Sequence, residues 1–133
     1  MADIVDPRHE AYVEHLFQRI CLLLGMPGFC LRPLRRRKRG AGAFRSFRYG
    51  YTVIGEQSIT VDLYTPKTVK PRKFDAIIRV ICHELAHHQE PPRRCVYGGR
   101  MMRMAHHPRF WKQYQKNVSA CAGDDVLGIH FSS

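Results

Sequence analysis

The sequence predicts a single α+β domain that spans residues 1–133. Three observations predict it. Two stretches repeat apolar residues at helical spacing, a stretch between them alternates apolar and polar residues as a half-buried strand does, and a proline opens a further helical stretch near the end. With 133 residues, of which 44% are hydrophobic, the chain is long enough for one hydrophobic core and too short for two.

The first predicted helix is N-terminal. Asp6 is a good N-cap, Pro7 suits the first turn, and Gly25 ends the helix after an apolar stripe between residues 11 and 24. Its longest apolar run, residues 20–24, is too short to cross a bilayer, and acidic residues rather than a basic leader precede it. We therefore expect no membrane span and no signal peptide, and a cytoplasmic protein that is free or associated with DNA.

A short antiparallel β-hairpin is predicted next. Apolar and polar residues alternate over residues 47–53, residues 55–58 turn the chain, and the alternation resumes at Ile59, Val61 and Leu63. Between the helix and the hairpin, residues 32–42 are basic and contain glycine, and we predict that they carry no fixed structure.

Two further helices follow the hairpin. One begins at Phe74, carries apolar residues at helical spacing and stops at the proline pair of residues 91–92. An irregular stretch is predicted over residues 93–105. The C-terminal helix then begins near His107, with Pro108 in its first turn.

Residues 83–88 read His-Glu-Leu-Ala-His-His, and they lie on the second predicted helix. Positions i and i+4 of a helix share one face, so His83 and His87 can direct their imidazole nitrogens to one metal ion. Zinc accepts neutral imidazole, and a catalytic zinc site needs about three protein ligands and an open position for water. The Glu84 carboxylate lies beside the first histidine, where it can take a proton from that water. The pattern is typical of zinc-dependent peptidases.

A catalytic site of this kind needs a third ligand from the rest of the chain. The candidates downstream are Glu90, His106, His107, Asp124, Asp125 and His130. The segment 106–111 is favoured by its context, because a ligand just before a helix is held by a rigid element, and the aromatic residues that follow can anchor that helix to the core. His106 and His107 both remain open at this point.

The order of these motifs resembles a known family. His-Glu-Leu-Ala-His at residues 83–87, then a loop, then His-x-Pro-x-Phe at residues 106–110, resembles the SprT-like (Spartan-type) metallopeptidases and the related YgjP-like proteins. The resemblance implies a minimal zincin-like domain that binds one zinc ion. It also implies that the third ligand, after the two motif histidines, is His106.

The resemblance implies further roles. Glu84 would be the general base, and Phe110 would be the packing aromatic of the second motif. In this family the last strand before the motif helix runs along the cleft and can pair with an extended substrate. Here that strand carries Ile59, Val61 and Leu63, which we therefore expect to bind the peptide.

Positive charge is the second strong feature of the chain. It contains 22 Lys and Arg against 11 Asp and Glu, which gives a net charge of +11. A surplus this large attracts polyanions, and nucleic acid is the commonest of them. The densest basic run supplies the candidate DNA contacts Arg35, Arg36, Arg37, Lys38 and Arg39. The alternative is a segment that only increases solubility.

These observations predict a zinc metalloendopeptidase that hydrolyses proteins at or near DNA, and the resemblance implies a role in removing proteins crosslinked to DNA. The expected partners are a protein or peptide substrate and DNA, with no membrane. Three alternatives remain. The first is a zincin peptidase with one specific protein substrate and no dependence on DNA. The second is a nucleic-acid-binding module with a structural zinc site, closed for example by Cys95, and the third is an inactive scaffold that needs a partner.

The chain contains five cysteines without a Cys-x-x-Cys pair, and this pattern predicts free thiols.

Overall fold

The computed structural model describes residues 5–34, 49–65 and 69–131. Within them the chain forms three α-helices, five strands and one short 3-10 helix, which confirms the mixed α+β class. The helices are α1 (Pro7–Leu24), α2 (Phe74–Gln89) and α3 (Pro108–Ala122), and the 3-10 helix is Gly128–Phe131. The strands are β1 (Cys30–Pro33), β2 (Gly50–Thr52), β3 (Ser58–Val61), β4 (Arg93–Tyr97) and β5 (Arg100–Met104).

Helix α1 begins and ends where the sequence predicts. The Asp6 carboxylate accepts a hydrogen bond of 3.1 Å from the backbone N–H of His9, and Pro7 occupies the first turn. At the other end Gly25 adopts the left-handed conformation, with φ of 67°. The buried face of the helix faces the core and consists of Val13, Leu16, Phe17, Ile20 and Cys21.

Strands β1, β2 and β3 form one sheet in the order β1-β3-β2. Strands β2 and β3 are antiparallel, which confirms the predicted hairpin in its described part. Strand β1 runs parallel to β3 and was not predicted. The expectation that residues 32–42 carry no fixed structure is therefore wrong for Arg32 and Pro33, which belong to β1, while residues 35–42 lie outside the described residues.

Strand β3 is the centre of this sheet. Its backbone pairs with β1 on one side and with β2 on the other. The side chains of Ile59, Val61 and Leu63 are completely buried in the core. A peptide adds only to an exposed strand edge, and a buried side chain cannot contact it. The prediction that these three residues bind an extended substrate is therefore wrong.

The stretch between the two motifs is a second β-hairpin rather than an irregular segment. Strands β4 and β5 pair from Arg93 opposite Met104 to Tyr97 opposite Arg100. The two-residue turn is residues 98–99, both glycines with positive φ, 58° and 78°. Such a turn requires positive φ at both positions, and glycine adopts it without a steric penalty. A Gly-Gly pair between two short strands was the sequence signal that identifies this hairpin.

Helices α2 and α3 pack together across a buried polar contact. The side-chain amide of Asn117 on α3 donates to the carbonyl oxygen of Cys82 (3.2 Å) and to Oε1 of Gln89 (2.6 Å), both on α2. Its oxygen accepts from Gln113 (2.9 Å). Beside it, the Sγ atoms of Cys82 and Cys121 lie 3.6 Å apart in the core. Because every polar atom of the buried amide has a partner, the contact fixes α3 against α2 without a desolvation penalty.

Helix α2 lies at the middle of the core. It ends at Gln89, just before the proline pair, as the sequence predicts. Its apolar face, with Ile77, Ile78, Ile81 and Leu85, packs in one buried cluster with side chains of α1 and β3. None of the helices in the described part of the chain has both the length and the apolar character that a membrane crossing requires.

Candidate metal centre

Three histidines converge at the C-terminal half of α2. His83 and His87 lie one turn apart on the same face of the helix, with ring centroids 4.9 Å apart. His106, just before α3, brings its ring to 5.1 Å from that of His83 and 4.8 Å from that of His87. One possible ligand atom from each residue lies within 4.8 Å of the others. The cluster could therefore hold a metal ion, with the three residues that the sequence predicts.

The neighbouring His107 is not available as a ligand. It is almost fully buried and caps the N-terminus of α3, where its Nδ1 accepts a hydrogen bond of 3.3 Å from the backbone N–H of Phe110. Nδ1 therefore has no proton, and Nε2–H donates to the carbonyl oxygen of Pro91 (2.9 Å). Both ring nitrogens have protein partners, so the alternative between His106 and His107 resolves in favour of His106.

His88, next to the second ligand, also has a structural role. Its Nε2 lies 2.6 Å from Oγ1 of Thr52, and that hydroxyl donates its own proton to the carbonyl oxygen of Ser58. The hydroxyl therefore accepts from His88, and this bond ties β2 to α2. The His88 ring also contacts that of Phe29, and burial lowers the pKa of His88.

Aromatic side chains of α3 hold the three imidazole rings. Phe110 is fully buried and stacks on the His87 ring at 4.5 Å, while its edge contacts with His83 and His106 are 5.0 and 4.9 Å. Trp111 stacks on His106 at 5.6 Å. The packing role expected for Phe110 is thus seen directly, and the ligand rings are positioned by rigid neighbours rather than by solvent-exposed loops.

The Glu84 carboxylate lies beside the cluster. Its residue is 4% exposed, and its Oε2 has no hydrogen-bond partner among the described residues, although it lies 3.5 Å from Nδ1 of His83. A buried carboxylate oxygen without a partner is costly unless a ligand or water binds there. Three imidazole nitrogens with one unpartnered carboxylate oxygen beside them suit a divalent metal ion that carries a water molecule.

The environment keeps two of the three imidazoles, those of His87 and His106, in their metal-binding form. Burial, opposed by the charge of Glu84 and helped by the neighbouring histidines, lowers the pKa of His87 to about 4. Burial also lowers the pKa of His106, helped by His83. Metal ions bind the neutral imidazole, so at neutral pH these side chains need not lose a proton first.

The cluster opens into a cleft on both sides of Glu84. One cavity of about 350 Å³ is lined by Tyr49, Gly50, Arg79, Val80, His83, Glu84 and Tyr114. A second, of about 370 Å³, shares Gly50, His83 and Glu84 and adds Thr52, His87 and His106. Pro92 and Ala105, at the base of the β4–β5 hairpin, also line the second cavity. The cleft therefore lies between β2 and that hairpin, with the ligands on its floor.

Gly50 allows β2 to approach α2 closely enough to form this cleft. A Cβ atom added there would lie 2.8 Å from the carbonyl oxygen of Thr60 and 2.8 Å from Cγ1 of Val80. Gly50 had no predicted role, although a glycine inside an alternating strand often indicates such a close approach.

We expect Gly50→Ala to lower the unfolding free energy by about 1–3 kcal/mol, because a backbone oxygen at that distance cannot move aside. Thermal denaturation measures the loss. Gly123→Ala is a suitable control, since a Cβ at that position meets its nearest atom at 3.5 Å and φ is negative. Equal melting temperatures for Gly50→Ala and the parent would contradict the close packing of β2 on α2.

The other ligand candidates are engaged elsewhere. Asp124 forms an ion pair with Arg19 at 2.8 Å, which lowers the pKa of that carboxyl to about 2. His130 Nε2 lies 2.9 Å from the hydroxyl of Tyr12, and Glu90 is the C-cap of α2. Asp125 and Cys95 are likewise absent from the cluster, so no fourth His, Cys, Asp or Glu from the described residues joins the three histidines.

The predicted DNA contacts Arg35, Arg36, Arg37, Lys38 and Arg39 all lie outside the described residues. They stay a prediction from charge alone.

Comparisons of the chain with protein-family models, with curated proteins and with solved structures find no match. The function must therefore be inferred from the residues of the site and their geometry.

Proposed function

We propose that the protein is a zinc-dependent metallopeptidase that hydrolyses peptide bonds of proteins at or near DNA. The observation that carries the proposal is the convergence of three imidazole rings beside a buried carboxylate oxygen that has no partner in the described part of the chain. The resemblance of residues 83–87 and 106–110 to the SprT-like metallopeptidases supports the same conclusion.

The number of ligands favours a catalytic site over a structural one. Structural zinc sites are closed by four protein ligands, whereas catalytic sites keep one position open. Cys95, the candidate for a closing ligand, instead places its Sγ 3.8 Å from the backbone carbonyl oxygen of Arg93. A zinc ion held by His83, His87 and His106 would polarise the scissile carbonyl and lower the pKa of its water to about 7.

Glu84 is the proton carrier of the proposed reaction. Its unpartnered Oε2 accepts a proton from the water molecule that attacks the carbonyl carbon. When the C–N bond breaks, the same carboxyl group donates that proton to the leaving amine. The low exposure of Glu84 limits competition from bulk water for its oxygen.

The substrate would occupy the cleft rather than the strand that the sequence predicts. Gly50 and Thr52 of β2 line one wall, and Pro92 and Ala105 line the wall at the base of the hairpin. A peptide that lies between these walls passes directly over Glu84. Tyr114, which lines the first cavity with His83 and Glu84, is a candidate hydrogen-bond donor to the developing oxyanion.

The association with DNA rests on charge. A net charge of +11 on 133 residues attracts polyanions strongly and keeps the protein near them at low salt. Proteins bound to DNA would then be the substrates within reach of the cleft.

A gel assay with a basic protein substrate tests both parts of the proposal. We expect cleavage that duplex or single-stranded DNA stimulates, that a zinc chelator abolishes and that added zinc restores. If the purified protein binds zinc and cuts nothing under any of these conditions, the peptidase proposal is wrong. If cleavage occurs at the same rate with and without DNA, the peptidase proposal stands and the proposed link to DNA fails.

A further inference from the structure

The β4–β5 hairpin has an unusual surface. Its strands and turn, residues 93–104, contain four arginines and no acidic residue. Strands β4 and β5 pack on each other and on no other helix or strand of the described chain. Large apolar side chains are nevertheless exposed on it, among them Val96 at 68% and Met101 at 56%. An exposed apolar surface within a basic one indicates a binding function.

The register of the hairpin places two positive charges directly opposite each other. Arg94 pairs with Arg103, and the neighbouring pair on the same face is Val96 with Met101. Like charges in directly opposed positions destabilise a strand pair unless an anion neutralises them. Within the described residues neither arginine forms an ion pair with a carboxylate.

Three arginines line a concave surface at the hairpin. Pro92, Arg93, Arg94 and Arg103 line a cavity of about 440 Å³. An arginine guanidinium presents a planar set of N–H donors that matches two oxygens of one phosphate. Three arginines around one cavity, with no carboxylate among its lining residues, therefore form a site for anionic oxygen.

We propose that the β4–β5 hairpin is a nucleic-acid-binding ribbon, in which Arg94 and Arg103 contact backbone phosphates and Val96 and Met101 contact the adjoining sugars or bases. A two-stranded antiparallel ribbon fits the major groove of B-DNA, which is about 12 Å wide. The inference deepens the proposed function, on which it rests for the role of DNA.

Because the hairpin lies next to the cleft, nucleic acid bound to the hairpin would also be close to the cleft. The hairpin leaves the fold between His87 and His106, and Pro92 and Ala105 at its base line the same cavity as the ligands. Nucleic acid held by the arginines would therefore lie beside the metal centre. A protein attached to that nucleic acid is then presented to the cleft rather than captured from solution.

A solubilising role does not account for the same observations. Charges that only increase solubility are usually of mixed sign and spread over the surface, and they do not require apolar side chains beside them. An acidic protein surface would also be attracted to four arginines. An acidic polypeptide has fewer condensed counterions to release than DNA has, so its binding would depend less steeply on salt concentration, and the two partners differ in a measurable way.

The test measures binding of a labelled duplex, and of one of its strands, by fluorescence anisotropy over a range of salt concentrations. The protein is the complete 133-residue chain carrying Glu84→Gln, so that self-cleavage cannot interfere. Arg94→Gln with Arg103→Gln removes the two proposed contacts. Arg94→Lys with Arg103→Lys keeps the charge. Arg8→Gln with Lys70→Gln removes two exposed charges, one in the first turn of α1 and one shortly before the start of α2.

We expect the Gln pair to reduce the slope of log K against log salt by about 2 and to weaken duplex binding about thirtyfold at 0.15 M salt, since each phosphate contact contributes about 0.9 to the slope. The Lys pair should keep most of the slope. The distant control should change the affinity far less, and circular dichroism should show that all variants are folded.

The inference is overturned if the Gln pair weakens binding no more than the distant control does. It is also overturned if the parent protein binds neither form of DNA. None of these outcomes depends on peptidase activity, because the measured protein lacks Glu84. A failed peptidase assay combined with an intact effect of the Gln pair would reject the proposed enzyme and leave the binding ribbon in place.

Discussion

Replacing Glu84 with glutamine is expected to lower peptidase activity by a factor of about 10² to 10⁴ while the protein still binds its metal ion. Glutamine has nearly the same shape as glutamate but cannot take a proton from water. The cluster that could hold a metal ion consists of the three imidazoles, and the carboxylate is not part of it. Stability should not fall either, because the change removes a buried charge whose Oε2 has no hydrogen-bond partner in the described structure.

Glu90→Gln is the matched control for this experiment. Glu90 is the C-cap of the same helix and lines neither cavity beside the metal ligands. Turnover, metal content and melting temperature should be measured for both variants. Full activity in Glu84→Gln would show that this carboxylate carries no proton in the reaction, and loss of metal from it would assign Glu84 to the ligand set instead.

The second large effect is expected from the adjacent pair His106 and His107. His106→Ala removes a proposed ligand. Loss of a residue that only hydrogen-bonds to a ligand lowers metal affinity roughly 10–100-fold, so loss of the ligand itself should lower it more. His106 is exposed, so the fold itself should change little in stability. His107→Ala should retain the metal ligands but lower the unfolding free energy by about 2–4 kcal/mol, because α3 loses its N-cap and the Pro91 carbonyl loses its donor.

Metal titration monitored by calorimetry, together with thermal denaturation of the metal-free proteins, separates these two effects. The two substitutions remove the same side chain from consecutive positions, so each serves as the control for the other. The reverse pattern, with metal lost only in His107→Ala, would contradict the assignment of the third ligand.

The helices and the first two histidines of the cluster could be predicted because their signals are local in sequence. The Asp6 cap, the proline pair after α2 and the i, i+4 spacing of His83 and His87 each depend on residues within about one helical turn. The third ligand could not be chosen from the residues alone, because His106 and His107 both precede Pro108. What distinguishes them is the carbonyl of Pro91, on the far side of a hairpin.

The sheets were predicted less well because their signals are long-range or weak. Strand β1 pairs with a strand that begins at Ser58, far along the chain from Cys30, and its basic neighbours suggested an unstructured segment. That parallel partner places β3 at the centre of the sheet, which no hairpin pattern could reveal. The β4–β5 hairpin is largely exposed, so apolar and polar residues do not alternate along it as they do in a half-buried strand.

The hydrogen bond from His107 to the Pro91 carbonyl closes the base of the β4–β5 hairpin. The two ends of the hairpin are therefore fixed to each other independently of its length, and its strands contact no other described element. Residues could be inserted or removed in opposed pairs near the turn without shifting His106, because such changes keep the strand register. The fold thus separates the histidine cluster and the helices that hold it from a hairpin that can vary, which makes this hairpin a natural position for grafting new binding sequences.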